Sequence, residues 1–427
     1  MNIRHLSILA GAVLLAPRFA FGFAEIARGE LDLNTTAKAA YDSRIFGGVN
    51  ADDDYIFTLY PELTFRREAG QVKLDSFAGV RINRYDKYTQ FNSEDARASV
   101  KLDLPPDVGA PASGSFESSY LERTDINYDV NQRLREKTFF TRGDADVPLS
   151  LKMAFLVGGS YAHELRNLYS DRDTWTGSGA FRYTDFLGGT SLELRYRRLE
   201  VDSTRNNIDP AIPDVAINQQ TDIYTLTLMR PIYHDVHGSL TYGWRELRRS
   251  AAEVPGGDAN SGGSIVALTI DGPFLPRTMF PKLVSSFTIA YQKAETPGIN
   301  DVGGRQIIGN ARLSWLAREE TTLFIEARRS VQLSISNLTV TATGVDAGIH
   351  EDIGHFWTTS LTAGYSHRHF DLINRTDDVA LLDASAVYRI THAWSARFDY
   401  GYRQTNSNYA NADYSRHVVG VSATYTF

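Results

Sequence analysis

The stretch Trp394-Ser395-Ala396-Arg397-Phe398-Asp399-Tyr400-Gly401-Tyr402-Arg403 decides the fold. Its apolar members, Trp394, Ala396, Phe398, Tyr400 and Tyr402, alternate with Ser395, Arg397, Asp399, Gly401 and Arg403. Successive side chains of a β-strand point to opposite faces, so this order gives one face made for hydrocarbon and one made for water. The last residues repeat the period: Phe427, Tyr425, Ala423, Val421 and Val419 fall on one face, and Thr426, Thr424, Ser422, Gly420 and Arg416 on the other. Moving back along the chain, Trp357, Leu361, Ala363 and Tyr365 oppose Thr358, Ser360, Thr362, Gly364 and Ser366. Ile307, Ala311, Leu313 and Trp315 oppose Gln306, Asn310, Arg312 and Ser314, and Leu240, Tyr242 and Trp244 oppose Ser239, Thr241, Gly243 and Arg245.

A soluble sandwich also alternates, but its strands run to only ~5–6 residues. Those here run to about ten or more, the length at which a tilted strand crosses a bilayer. Aromatic residues cluster near strand ends, at Trp394, Tyr402, Trp357, Tyr365, Trp315 and Tyr425, as interfacial girdles require. The composition agrees, with 22 Tyr and 22 Phe against 14 Pro and 4 Met in 427 residues. The mean hydropathy of -0.29 is mild because a barrel strand meets lipid at every second residue only. A weak helical spacing is confined to Ala24 to Ala40. The expected fold is all-β, a transmembrane antiparallel up-and-down β-barrel of about 18 strands, within 16 to 20.

Residues 1–24 read as a signal peptide. Arg4 and His5 precede an apolar run from Leu6 to Ala16, and Gly22-Phe23-Ala24 offers a cleavage site. That run is too short to span a membrane as a helix. Residues 25–54 read as a periplasmic lead-in, with a first strand at Ala39 to Val49 left open, and residues 55–427 as the barrel. With Phe427 at the periplasmic rim, the short links at His392, Arg318 to Glu320, Leu187 to Gly189 and Ala69 to Gly70 share its side. The long polar loops Arg205 to Gln219, Ala251 to Gly263, Glu295 to Gly304, Phe370 to Asp377 and Thr405 to Ala412 then lie outside. The stretch Gly114 to Val147 alternates raggedly and is expected to form a hairpin turning near Asn131 to Arg135.

The absence of cysteine removes thiol catalysis and disulfide frameworks, and a net charge of -7 argues against a nucleic-acid partner. Enzyme fingerprints are missing: there is no HExxH, G-x-S-x-G, P-loop or dinucleotide motif in a meaningful context. His367 and His369, near Asp371, are the nearest approach to a metal or base site, and an exposed loop pair explains them as well. Asp52-Asp53-Asp54 has the charge to hold a cation but also suits a solvated turn. No cofactor, metal site or catalytic residue is expected.

Tyr41-Asp42-Ser43-Arg44-Ile45-Phe46-Gly47 near the mature start, Tyr60-Pro61-Glu62-Leu63 opening a strand, and the terminal Thr424-Tyr425-Thr426-Phe427 resemble the β-barrel porin-2 family of proteobacterial outer-membrane proteins. Arg44 stands where that opening motif carries Asn. The resemblance covers the mature chain and implies an outer-membrane pore or export channel in contact with outer-membrane lipid. It also implies an association with exopolysaccharide export and its components. Phe427 and Tyr425 resemble the terminal signal by which the barrel-assembly machinery recognises its clients.

Strand parity sends Arg66, Arg81, Arg182, Arg195, Arg197, Arg245, Arg312, Arg328, Arg389, Arg397, Arg403 and Arg416 inward. The inward acids are fewer: Glu62, Asp75, Glu193, Glu326, Asp383 and Asp399. The candidate path residues are Arg195, Arg197, Arg245, Arg312, Arg328, Arg389, Arg397, Arg403 and Arg416 with Asp383 and Asp399. Guanidinium groups grip carboxylate or phosphate bidentately, so a lumen of this kind suits anionic solutes, an anionic polysaccharide among them. Alternatively the same charges pair with one another and stiffen the wall, as in a plugged structural or adhesive barrel. An outer-membrane enzyme is a further alternative, lacking a nucleophile.

Overall fold

The computed structural model describes residues 24–26, 29–46, 52–68, 72–106, 111–127, 130, 132–204, 216–233, 235–250, 259–273, 280, 282–292, 306–336, 338–370, 373–409 and 412–427. The strands are β1 (Ala24–Ile26), β2 (Gly29–Asp42), β3 (Asp54–Arg67), β4 (Lys73–Tyr85), β5 (Ser93–Leu104), β6 (Ser113–Asn127), β7 (Gln132–Pro148), β8 (Met153–Arg166), β9 (Asp171–Tyr183), β10 (Ser191–Thr204), β11 (Asn218–Tyr233), β12 (Val236–Ser250), β13 (Ala259–Gly272), β14 (Leu283–Gln292), β15 (Gln306–Leu316), β16 (Thr321–Leu333), β17 (Thr339–Ile353), β18 (Trp357–Phe370), β19 (Arg375–Arg389), β20 (Trp394–Ser407) and β21 (Tyr414–Thr426). Each pairs antiparallel with the next, and β2 also pairs with β21, Asn34 opposite Thr426 and Ala40 opposite Gly420. Of the 21 strands β1 is a three-residue stub that folds back antiparallel on the start of β2, so the remaining 20 close into a ring. Closure leaves no edge of unpaired amides, the condition for a sheet to cross hydrocarbon.

The count lies at the upper end of the expected range, and β2 accounts for part of the difference. Of its outward residues Leu31, Leu33, Thr35, Ala37, Ala39 and Tyr41, the three from Thr35 to Ala39 are small and alternate with Thr36, Lys38 and Ala40, so the alternation is faint there and the spacing reads as weakly helical. Closure against β21 and β3 overrides that local preference. The ragged stretch resolves into β6 and β7, with Asn127 paired to Gln132. Ladders also run farther than hydropathy suggests. Ala259 to Gly263 belongs to β13, Arg375 to Asp377 to β19, and Thr405 to Ser407 to β20. Backbone pairing needs no apolar side chain once a strand leaves the lipid. Residues 1–23, Gly47 to Val49, Ala69 to Gly70 and the loop residues 205–215, 251–258 and 293–305 lie outside the described residues.

The outward face is apolar, with Leu240, Tyr242, Leu361 and Val421 44–61% exposed. Two aromatic belts flank it. Near the Phe427 rim Trp394 packs on Tyr425 at 4.6 Å and Trp357 on Tyr388 at 4.7 Å; near the opposite rim, here the loop rim, Tyr161 stacks on Trp175 at 4.0 Å and Tyr196 on Tyr224 at 5.0 Å. Among the described residues, the two buried apolar clusters sit on neither belt, but at the loop ends of β7 to β11 and at the β16–β17 turn.

Candidate functional site

The inward face is a lattice of ion pairs that bridge neighbouring strands. At the closing seam Lys38 on β2 reaches Asp399 on β20 at 3.2 Å, and Asp399 also accepts from Arg397 Nε at 2.5 Å. That reach passes over β21 at Gly420, where a Cβ would lie 2.6 Å from Lys38 Cε. One level nearer the loops, Arg416 grips both oxygens of the fully buried Asp42, at 2.9 and 2.6 Å. The same device recurs on β3 to β5. Tyr60 lies over Gly79, bonds Glu62, and is capped by the Arg97 guanidinium 4.1 Å from its ring centre. Farther round, Arg328 meets Asp346 at 3.1 Å, while Glu326 accepts from Asn310 at 2.8 Å and Arg312 at 3.3 Å. Glu193, 9% exposed along its side chain, is shared by Arg182 at 2.9 Å and Arg195 at 2.8 Å.

Of the residues singled out in the sequence, Arg195, Arg312, Arg328, Arg397, Arg416 and Asp399 therefore stand in ion pairs. Asp383 lies on the inward face of β19, beside Gly401 and in the field of Arg403. Arg197 and Arg389 form no ion pair among the described residues, and Arg245 stands in one row with Arg197, separated by Ile223 of β11. The acids are more numerous on this face than parity of the clearest segments suggests. Asp42, Asp95, Asp146, Glu164 and Asp346 join it, because they sit on strand ends and on weakly patterned strands.

The imbalance is local. The inward positions of β9 to β12 carry Arg172, Arg182, Arg195, Arg197, Arg245 and Arg249 against Glu193 alone, with Glu164 of β8 reaching Arg172 at 2.8 Å. Between these cations lie hydroxyls, among them Ser178, Thr225, Thr227 and Thr241, the last two bonded at 2.9 Å. This sector is a strip of positive charge and hydroxyl groups along one wall.

The two residue groups considered for catalysis or metal binding take other places. His367 sits on the outward side, 2.9 Å from Asp378, which also accepts from the Tyr365 hydroxyl at 2.7 Å. His163, Asp173 and Tyr161 repeat that arrangement on β8 and β9 at 2.8 and 2.6 Å, which marks it as a recurring fitting of the loop-side belt. His369 lies on the same side of β18, and Asp371 is outside the described residues. In the acidic triplet, the buried Asp54 accepts from the backbone amides of Lys87 and Tyr88, both at 3.0 Å. A hydrogen bond from the Lys87 ammonium, 2.5 Å away, holds the Asp53 carboxyl below its ordinary pKa. At the other rim Phe427 packs edge-on against Tyr425 at 4.2 Å, and its amide donates to Leu33 at 2.9 Å, continuing the closing ladder.

Residues 289–427 match the family model described as "Putative beta-barrel porin 2". No curated protein matches the chain in sequence. Among solved structures, the siderophore receptor PiuA from Acinetobacter baumannii aligns with a TM-score of 0.53 at 9% identity, covering 95% of this chain and 82% of that one. The ferric citrate transporter FecA, unliganded, aligns with a TM-score of 0.51 at 11% identity, covering 93% and 79%. OpdK from Pseudomonas aeruginosa, solved with vanillate, gives 0.42 at 11% identity, covering 95% and 100%. At such identities PiuA and FecA share the closed-barrel fold with this chain, and nothing finer.

Proposed function

We propose that this chain is a channel for anionic solutes, anionic glycans among them, a reading supported by its closed outer-membrane-type barrel and by the match of residues 289–427 to the β-barrel porin 2 model. The observation that carries the reading is the β9–β12 strip, six inward arginines against one glutamate. An excess of fixed cations in a narrow, low-dielectric passage concentrates anions, and guanidinium groups give way readily from one carboxylate to the next. Hydroxyl side chains between them suit the hydroxyls of a sugar chain. On this reading the wall divides its labour: the seam charges Lys38, Asp399 and Arg397 neutralise one another and brace the closure, whereas Arg197 and Arg245 face the path.

The test is to replace Arg197 and Arg245 together with Glu and to measure reversal potential across a salt gradient in planar bilayers. The channel reading expects a shift from anion towards cation preference, and weaker block of current by oligomeric uronate, with the barrel still folded. A folded, conducting variant with unaltered ion preference rules the strip out as the path.

A further inference from the structure

The loop rim is drawn together by residues from far-apart strands. Ile335, in the turn between β16 and β17, is 5% exposed and packs with Leu134 of β7 and Tyr169 of the β8–β9 turn. In a ring of 20 strands these elements stand almost half-way round from β16 and β17. Arg166, at the end of β8, donates to Ile335 O at 3.1 Å and to Ser170 O at 3.3 Å, and its guanidinium also bonds Glu164. Leu338, on the other side of the same turn, is 3% exposed and packs with Val201 of β10 and Ile217 beside β11. Ser334 ties the turn's two limbs, accepting from Leu338 N at 3.1 Å. An open 20-stranded ring with strands ~4.8 Å apart and tilted would be about 40 Å wide, far beyond the reach of so short a turn. These contacts therefore require the walls and loops to lean in and meet across the mouth.

We propose that this junction is a gate: Ile335 and Leu338 form an apolar latch that shuts the loop rim, and solute passes when they leave their clusters. The proposal rests on the channel reading above. The materials of the junction suit the role. Its centre is aliphatic and aromatic, so it excludes water and ions as hydrophobic constrictions do. Among the described residues it is held by two small clusters and the Arg166 bond to Ile335 O instead of a continuous ladder, so it can part without breaking the barrel. The backbone on either side of the turn remains in the β16–β17 ladder, with Leu333 paired to Thr339.

Two readouts test the gate on the full chain, one electrical and one chemical. The chain has no cysteine, so Thr225→Cys, on the inward face of β11, supplies a single reporter thiol. A bulky, membrane-impermeant maleimide is added to intact cells, which the loop rim faces on the same reading. Ile335→Asp with Leu338→Asp sets two carboxylates against Leu134, Tyr169, Val201 and Ile217, while the nearby Arg166 guanidinium is already engaged by Glu164, Ser170 O and Ile335 O. Labelling and mean conductance should then rise about tenfold or more as the shut state loses its favour. Ile335→Ser with Leu338→Ser, a smaller disturbance, should move both readouts the same way, and heat-modifiability on gels confirms that each barrel is folded. Labelling and conductance at wild-type level in the folded variants overturn the gate while leaving the channel standing. Labelling that rises without any conductance keeps the gate and overturns the channel.

Discussion

Gly420 shows how a single residue sets the closing seam. Its missing Cβ leaves the corridor through which Lys38 on β2 crosses β21 to Asp399 on β20. Gly79 clears the same kind of space beneath Tyr60, and outside the barrel Trp244 lies over Gly262, where a Cβ would stand 3.1 Å from the indole. Gly420→Val should therefore cost about 1–3 kcal/mol through overpacking and a displaced ammonium. The midpoint of urea unfolding of the barrel measures this. In a Lys38→Met background the valine should cost less, since the side chain being crowded no longer has a carboxylate to reach, and the two changes should be non-additive. Equal costs in both backgrounds would show that the glycine is not there to clear the lysine.

At the scale of the element, the strand alternates hydrocarbon and lumen with no tolerance for slippage, because a shift of one residue exchanges the faces. On β18 Leu361 is 44% exposed on the outward face, while Thr362 points inward opposite Asp383 of β19. Leu361→Arg should cost ~2–4 kcal/mol near the midplane, and Thr362→Arg much less, since a carboxylate faces it and water reaches it. Folding titrations in lipid vesicles compare them directly, and equal penalties would contradict the register. On the channel reading proposed above, the same logic selects Arg197 and Arg245 for the path, because β10, β11 and β12 align them in one inward row.

The whole molecule depends on the last strand finding the first. Phe427 continues the ladder to Leu33, and Tyr425, on the outward face of β21, packs between it and Trp394. We expect deletion of Phe427 to lower the amount of assembled barrel more than the amount of protein made, because it removes both a rung of the closure and the proposed signal for the assembly machinery. The ratio of fast-migrating unheated to heated protein in outer-membrane fractions reports this. An unchanged ratio in the deletion would separate Phe427 from assembly.

The period of two in Trp394 to Arg403 and in Val419 to Phe427, repeated in the other patterned strands, was enough to read a membrane sheet and its two faces, because side-chain direction in a strand depends on backbone geometry alone. Arg97, Arg172 and Arg249, which also stand on the inward face, were not picked out. The weakly patterned β2 was not legible in this way: alanine and threonine give little contrast, and the strand exists because β3 and β21 each complete their hydrogen bonding against it. Nor was the partner of any charge legible. That Asp399 serves Lys38 and Arg397, or that Glu193 is shared by Arg182 and Arg195, depends on register between strands far apart in the chain. The inward acids on strand ends were missed for a related reason, since polar residues there look like loop until pairing extends the ladder. The meeting of Ile335 with Tyr169 and Leu134 lies farthest from the sequence. The β8–β9 and β16–β17 turns become a buried junction only when the closed ring brings their strands to face each other, and that proximity is a property of the tertiary structure.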